Sequence, residues 1–598
     1  MPDWSYHTLF KPILHRLRPS FSREFIHRGM SMIASSSLGE AMIEFLGQMA
    51  PSNQLEKSLF GVPFASPVGL SGKIDPNLSG LKAFQNLGFG FVEIVPVSIS
   101  GSFIKEELHV DPKQELIWGN NGLPIKLSIA KKQLHSLKNK KVPFFIRVEG
   151  TFQEIEQICM ELLPFSDGFI MNSHTLESAT TYRLFQEKIR KPIIIACSTE
   201  FIVDMGNIVN EYPSAILLDE CDSVDKIINA VDAIRERFGV ELPIITSGGI
   251  KEPADALKLL DKGVSLIMLS FEYVFSGPGL PKRINEAYCR RFLREFVPSP
   301  GWLWYWMFGL AITIAGFIAL FFSMTAVILP YDEVFLGIIR SEINRFNPAI
   351  LYFMAHDRMT LSGTMISGGI IYMQLAWHGV RKRLIWARKA INYAGIIGFL
   401  GIFLFIGYGY FDWLHALFWV ILLPLFFLGY SKSKGTEGAP ISSNLFNHRY
   451  WKWSLIGQLS FVLLGFALTF GGLVISVIGA SSVFVPTDLS FLCLTQEMLN
   501  EFNDRLIPVI AHDRAGFGSA LLCVGLLVLM LALWGIREGD GWVWWTFFIG
   551  AIPAFLSVLL THFTIGYIDF VHLLPAYIAV ILYINGVLWT APCLLKKR

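Results

Sequence analysis

The seven cysteines of this 598-residue chain include no CxxC pair. An odd, scattered set (Cys159, Cys197, Cys221, Cys289, Cys493, Cys523 and Cys593) fits neither a disulfide framework nor a zinc site. Charge of one sign is also lacking. The net charge is +2 and no basic stripe with interleaved aromatics is present, which argues against nucleic acid as a partner. The amino-terminal stretch MPDWSYHTLFKPILHRLRPSFSREF has no uninterrupted apolar core, because Lys11, His15, Arg16 and Arg18 break it. It does not read as a signal peptide, so the segment that follows is expected in the cytoplasm. Leu9, Ile13 and Leu17 recur at helical spacing among those cations. That pattern suits an amphipathic helix on a membrane surface, or equally a short helix packed on the next domain.

What the chain has in excess is apolar sequence, at 53% of residues, too much for an ordinary soluble protein of this length. The excess is not evenly spread. Charged residues are dense up to Arg294, long apolar runs dominate from Trp302, and a boundary falls in FVPSPGW at 296–302. Four regions are expected: an amphipathic helical segment over 1–50, an α/β domain over 51–298, and membrane repeats over 299–440 and 441–598.

In the first half, eight short apolar runs are bounded by turn residues: SPVGL (66–70), GFVEIV (90–95), PFFIRV (143–148), DGFIMN (167–172), PIIIAC (192–197), SAILLD (214–219), PIITSG (243–248) and SLIMLS (265–270). Amphipathic helical patterns such as FQEIEQICMELL and SVDKIINAVDAIRERF lie between most of them. Alternating buried strands and helices imply parallel βα units, and eight such units close into a (β/α)8 TIM-type barrel. Chemistry in such barrels sits at the carboxyl ends of the strands. Here those ends carry Ser71-Gly72-Lys73, Pro96 and Ser98, Arg147 and Glu149, Asn172-Ser173-His174, Cys197, Asp219-Glu220, Ser247-Gly248-Gly249 and Ser270-Phe271-Glu272. Gly248 and Gly249, which follow the seventh strand and precede a helix, have the placement that brings backbone N–H groups against a phosphate.

These residues carry a family resemblance. FGVPFASPVGLSGKIDPNLSGLKAFQNLGFGFVEIVPVS resembles the start of the dihydroorotate dehydrogenase barrel, and LPIITSGGIKEPADALKLLDKGVSLIMLSFEYVFSGPGLPKRINE resembles its closing segment. YHTLFKPILHRLRP is similar to the amino-terminal helices of the quinone-dependent class, so the resemblance spans about residues 5–288. It implies FMN as cofactor, a small-molecule substrate and quinone as electron acceptor. By the same resemblance, Ser71, Gly72, Ser98, Asn121, Asn172, Gly248, Gly249, Ser270 and Phe271 would hold the flavin, Asn120 and Asn121 would touch substrate, and Ser173 would be the base. The chain departs from the family at several of these places. Pro76 stands for the turn lysine, and Lys73 replaces a glycine. MNSHTLES replaces the Asn-x-Ser-Ser-Pro-Asn-Thr loop, and Ala196 and Cys197 stand where a lysine faces the flavin. Glu272 follows the eighth strand, and a carboxylate about 5 Å from a phosphate repels it by roughly 1–3 kcal/mol.

The second half has about eight apolar stretches long enough to span a membrane, near 303–329, 359–379, 391–409, 413–430, 453–480, 515–536, 542–561 and 570–592. AHDRMTLSG at 355 recurs as AHDRAGFGS at 511, and Pro330, Asp332, Leu336, Phe346, Asn347, Gly379 and Arg381 recur at the same shift of 156. GYFDWLH at 409–415 returns as GYIDFVH at 566–572. An all-α polytopic domain built as a four-plus-four parallel repeat follows. With the barrel and carboxyl terminus inside, the basic loops HGVRKRLIWARK, SKSKG and KKR obey the positive-inside rule in a cytoplasmic membrane. The repeated polar motifs then face outward: His356, Asp357, Arg358, Asp412 and His415 in one half, His512, Asp513, Arg514, Asp569 and His572 in the other. Such clusters suit an anion, a metal, a haem or a proton-linked substrate, or else helix caps and interfacial ion pairs. Two histidines at i, i+4 on one span would favour haem or metal, and no span carries such a pair.

Two functions are therefore expected in competition. One is a membrane-anchored FMN oxidoreductase that passes electrons to quinone. The other is a catalytically degenerate barrel serving as a sensing or docking module for a membrane transporter or enzyme. Lipid is a partner in both, and a dimer through the barrel is compatible with either.

Overall fold

The computed structural model describes residues 2–104, 107–120, 122–137, 139–173, 185–198, 214–219, 223–292, 297–401, 403, 409–411, 413–435, 438 and 440–596, without the side chains of 120, 413 and 415. The chain forms two compact units: residues 1–293 with 440–449, and residues 294–439 with 450–598. Residues 440–449, all but the first of them expected in the second repeat, thus belong to the first unit. There Asn447 accepts a hydrogen bond from Arg283 at 2.6 Å and donates its N–H to Glu252 at 3.0 Å.

In the first unit the eight expected strands are all present: β1 Val68–Leu70, β2 Phe91–Ser98, β3 Phe144–Val148, β4 Gly168–Asn172, β5 Ile193–Ser198, β6 Ala215–Asp219, β7 Ile244–Ser247 and β8 Leu266–Leu269. Each pairs in parallel with the next, and β8 pairs with β1, so the sheet closes. Both faces are covered, which is why these runs are continuously apolar rather than alternating. One set of side chains (Val92, Ile94, Phe144, Ile146, Ile216, Leu218) packs outward on the helices. The other set points into the barrel, where Phe64 from a preceding hairpin stacks on Phe145 at 5.9 Å and meets Phe91 edge-on at 5.6 Å.

The amino-terminal helices fasten to the last βα unit. Tyr6 donates to the Val274 carbonyl at 2.6 Å, Lys11 to that of Phe275 at 2.8 Å, and Asp3 pairs with Arg283 at 3.0 Å. The segment still shows a broad apolar face, because Leu9, Ile13, Leu17, Phe21, Phe25 and Leu38 are all exposed.

The second unit is helical and its two halves correspond element by element. The first half contains α1 Trp302–Thr325, α2 Pro330–Leu336, α3 Arg340–Phe346, α4 Pro348–Gln374, α5 Ile385–Gly401 and α6 Trp413–Lys432. The second contains α7 Arg449–Gly479, α8 Pro486–Leu492, α9 Gln496–Phe502, α10 Leu506–Trp534, α11 Gly541–Ile565 and α12 Phe570–Leu594. Among the described residues α1, α7, α10, α11 and α12 are long and apolar enough to cross a membrane, five helices against the eight expected spans. The remaining long helices, α4, α5 and α6, stand at the places in the first half that α10, α11 and α12 occupy in the second. The helix expected from 359 begins at Pro348, because Asn347 caps it by accepting the Ala349 N–H at 2.9 Å. Outward side chains such as Phe317, Phe321, Phe470, Leu560, Ile581 and Leu588 are apolar and exposed, as a lipid-facing surface requires. Helices α1 and α4 cross closely: a Cβ on Gly369 would stand 2.2 Å from the Thr313 hydroxyl, so only glycine fits there.

Candidate functional sites

At the carboxyl ends of the barrel strands, a cavity of about 260 Å³ is lined by Gly72, Lys73, Arg147, Glu149, Asn172, Ser173 and Cys197, with Glu93 and Asp219. Strand alternation places Glu93 inside the barrel, although it sits in an otherwise apolar run. Arg147 joins it, Nε to Oε1 at 2.7 Å, and reaches Asp219 at 2.9 Å and the Asn172 side-chain oxygen at 3.3 Å. Burial works against the Arg147 charge, but Glu93 and Asp219 outweigh it and hold the guanidinium above its ordinary pKa. Burial also raises Glu149, against the pull of Arg147, and pushes the Cys197 thiol up to about 12, with Asp219 adding to the effect.

The residues expected to hold a flavin are placed unevenly. Gly72, Asn172 and Ser173 line the cavity. The Gly72 N–H, however, donates to Glu93 at 2.9 Å and the Ser71 hydroxyl to the same carboxylate at 3.1 Å. Ser98 is turned to its own loop and accepts the Gly101 N–H at 3.0 Å. Gly248 and Gly249 have φ of 90° and 73°, the turn expected of a phosphate cradle. The Gly249 N–H points at Glu272 Oε1, 3.0 Å away. A side-chain carboxylate therefore takes the donor that a phosphate would need, and adding the phosphate would bring two anions to one N–H. Ser270 is buried, and Phe271 leads directly into the short helix that carries Glu272. As arranged, these residues do not fit a phosphate at Gly249. Asn121, His174 and Glu220 lie outside the described residues, as does the Asn120 side chain.

In the second unit the two AHDR motifs come together. Arg358 pairs with Asp332 at 2.8 Å in its own repeat and with Asp513 of the other repeat at 2.7 Å. Arg514 pairs with Asp488 and, at 3.4 Å, with Asp357. Each arginine also donates to a carbonyl with left-handed backbone, Val327 at 2.6 Å and Val483 at 2.8 Å, again 156 residues apart. Tyr410 and Tyr567 donate to Asp332 and Asp488. Asp332 and Asp488 also close the first turns of α2 and α8, each accepting a backbone N–H at 2.8 Å. The arginines and aspartates thus form an interlock between repeats. Asp569 accepts the His572 N–H at 2.8 Å as the cap of α12, so its carboxylate serves the helix end while the His572 ring turns elsewhere. Asp412 and the His415 side chain lie outside the described residues.

The histidines are arranged asymmetrically. His512 stands 3.3 Å from Asp513 and borders a cavity of about 290 Å³. His356, by contrast, meets His562 with Nε2 atoms 3.0 Å apart, and one ring nitrogen each of His356, His562 and His572 lies within 4.8 Å of the others. Sequence reasoning missed His562 because it lies outside the repeated motifs. The set is assembled from three helices, α4, α11 and α12, so no local spacing announces it.

No family model matches the chain. The dihydroorotate dehydrogenase (quinone) of Chloroflexus aurantiacus is 22% identical over 343 residues, covering 46% of this chain and 94% of that protein. The enzyme of the same name from Deinococcus deserti is 23% identical over 344 residues, covering 47% and 94%. Among solved structures, the dihydroorotate dehydrogenase of Eimeria tenella in complex with ferulenol aligns with a TM-score of 0.35 at 15% identity, over 43% of this chain and 91% of that one. The amino-terminal half is thus similar in sequence to quinone-dependent dihydroorotate dehydrogenases, and about half of this chain lies beyond the match.

Proposed function

We propose that the chain is a multi-pass membrane protein whose barrel derives from a dihydroorotate dehydrogenase-like oxidoreductase and now acts as a cytoplasmic sensing or docking module, while the chemistry of the chain lies in its duplicated helical unit. The observation that carries this is the Glu272 carboxylate on the Gly249 N–H. A second observation agrees: the Glu93–Arg147–Asp219 network fills the barrel mouth with two carboxylates around one guanidinium and leaves a polar cavity of about 260 Å³, suited to a small polar ligand. Membrane placement is supported by the five apolar helices and by the exposed apolar face of the amino-terminal segment. The hold of the barrel on residues 440–449 supports an even number of crossings before that linker, as a four-span repeat requires.

The competing reading, an FMN enzyme delivering electrons to quinone in pyrimidine synthesis, is favoured by the similarity of the first half and by Ser173 and Asn172 at the cavity. Absorption spectroscopy of detergent-purified protein, with acid release of any chromophore, separates the two. The proposal expects a colourless protein that takes up added FMN only when Glu272 is replaced by Gly. Stoichiometric flavin in the unaltered protein would overturn it.

A further inference from the structure

The three converging histidines have a defined protonation problem. The Nδ1 of His356 lies 2.8 Å from Asp357, whose other oxygen faces Arg514 at 3.4 Å. A carboxylate so paired only accepts, so the proton of the neutral ring is on Nδ1. The Nδ1 of His562 lies 2.7 Å from the Val558 carbonyl, which also only accepts. Tyr567 donates its own proton to Asp488 at 2.9 Å and so accepts from the Nδ1 of His572 at 3.2 Å. Each ring is thereby left with a bare Nε2, and two of these lone pairs confront each other across 3.0 Å. That contact needs a cation between the rings.

The surrounding charge points the same way. The four aspartates 332, 357, 488 and 513 are compensated by the two arginines 358 and 514, a formal balance of −2 at the interlock. A dication would cancel it.

From these observations we infer that His356, His562 and His572 bind a divalent transition-metal ion, best matched by zinc, with an open coordination position. Three imidazole nitrogens around zinc at about 2.0–2.1 Å suit the observed clustering after small side-chain shifts. Asp357, the Val558 carbonyl and Tyr567 orient the ligands from behind, as partners of metal-bound histidines do. All three histidines border a cavity of about 410 Å³ with otherwise mostly apolar walls, including Leu464, Leu468, Phe547 and Phe555. An open zinc position beside such walls suits a substrate with a long apolar part. The duplicated half does not repeat the site, because the sequence places Phe405 or Ile406 where the second repeat has His562.

The inference deepens the reading that the helical unit carries the chemistry. Metal content is measured independently of flavin content, so either can fail alone. The test is elemental analysis of the full-length protein after equilibrium dialysis against zinc(II), with cobalt(II) substitution followed by visible absorption. About one equivalent is expected in the unaltered protein and in His109→Ala, an exposed histidine of the first unit. His562→Phe, which copies the sequence of the first repeat, is expected to lower occupancy at least tenfold, and Tyr567→Phe to weaken affinity about tenfold with His356 and His562 intact. Size-exclusion profiles report whether each variant is folded. Failure of the unaltered, monodisperse protein to take up zinc, or occupancy unchanged in folded His562→Phe, would overturn the site and leave a proton shared between His356 and His562.

Discussion

Arg358 of the first helical repeat reaches Asp513 of the second, Nε to Oδ2 at 2.7 Å, while Arg514 of the second faces Asp357 of the first at 3.4 Å. The two halves are therefore fastened by reciprocal, buried ion pairs around an approximate two-fold relation. The same relation makes Asn347 donate to the Leu492 carbonyl at 2.8 Å and Asn503 to that of Leu336 at 2.9 Å, and stacks Phe346 on Phe502 at 3.9 Å.

Removing one cation from this interlock strands carboxylates inside the protein. Arg358→Met leaves Asp332 and Asp513 without their guanidinium, and a cost of about 3–5 kcal/mol is expected. Thermal unfolding in detergent should show this as a large loss of stability. Phe346→Ala should cost far less, because that side chain is partly exposed.

The barrel network gives a matching prediction. Arg147→Met leaves Glu93 and Asp219 facing each other at the barrel mouth and is expected to cost roughly 3–5 kcal/mol. A triple change with Glu93→Gln and Asp219→Asn should recover part of that loss. Equal stability of the single and triple variants would show that the charges are not what holds this layer.

Cys197 should behave as an inert thiol at neutral pH. Its pKa is pushed up to about 12 by burial and by Asp219, so the protonated form dominates below that value. Only the thiolate is nucleophilic, so alkylation by iodoacetamide should rise about tenfold per pH unit from about pH 8 to 10 without levelling. Peptide mapping by mass spectrometry reads the rate at this position, and a plateau near pH 8 would contradict the expectation.

Membrane orientation can be read at Cys493, which is exposed between α8 and α9. With the barrel in the cytoplasm, a membrane-impermeant maleimide should label it in right-side-out vesicles and lose that label in Cys493→Ser. Labelling confined to inside-out vesicles would reverse the topology.

The eight barrel strands and the internal repeat were legible in the sequence because each is a local signal. Apolar runs such as PIIIAC and SAILLD, bounded by turn residues, specify strands that must be covered on both faces. The shift of 156 between the AHDR motifs is visible with no coordinates at all. The sequence also placed a carboxylate, Glu272, beside the expected phosphate turn. Its bond to the Gly249 N–H depended on the path of the chain after β8. Glu93 was hidden in an apolar strand, and only closure of the sheet set it opposite Arg147 and Asp219. His562 had no motif to mark it. Tertiary structure decided its meaning, because a ligand set drawn from three helices has no sequence spacing and exists only once α4, α11 and α12 pack together.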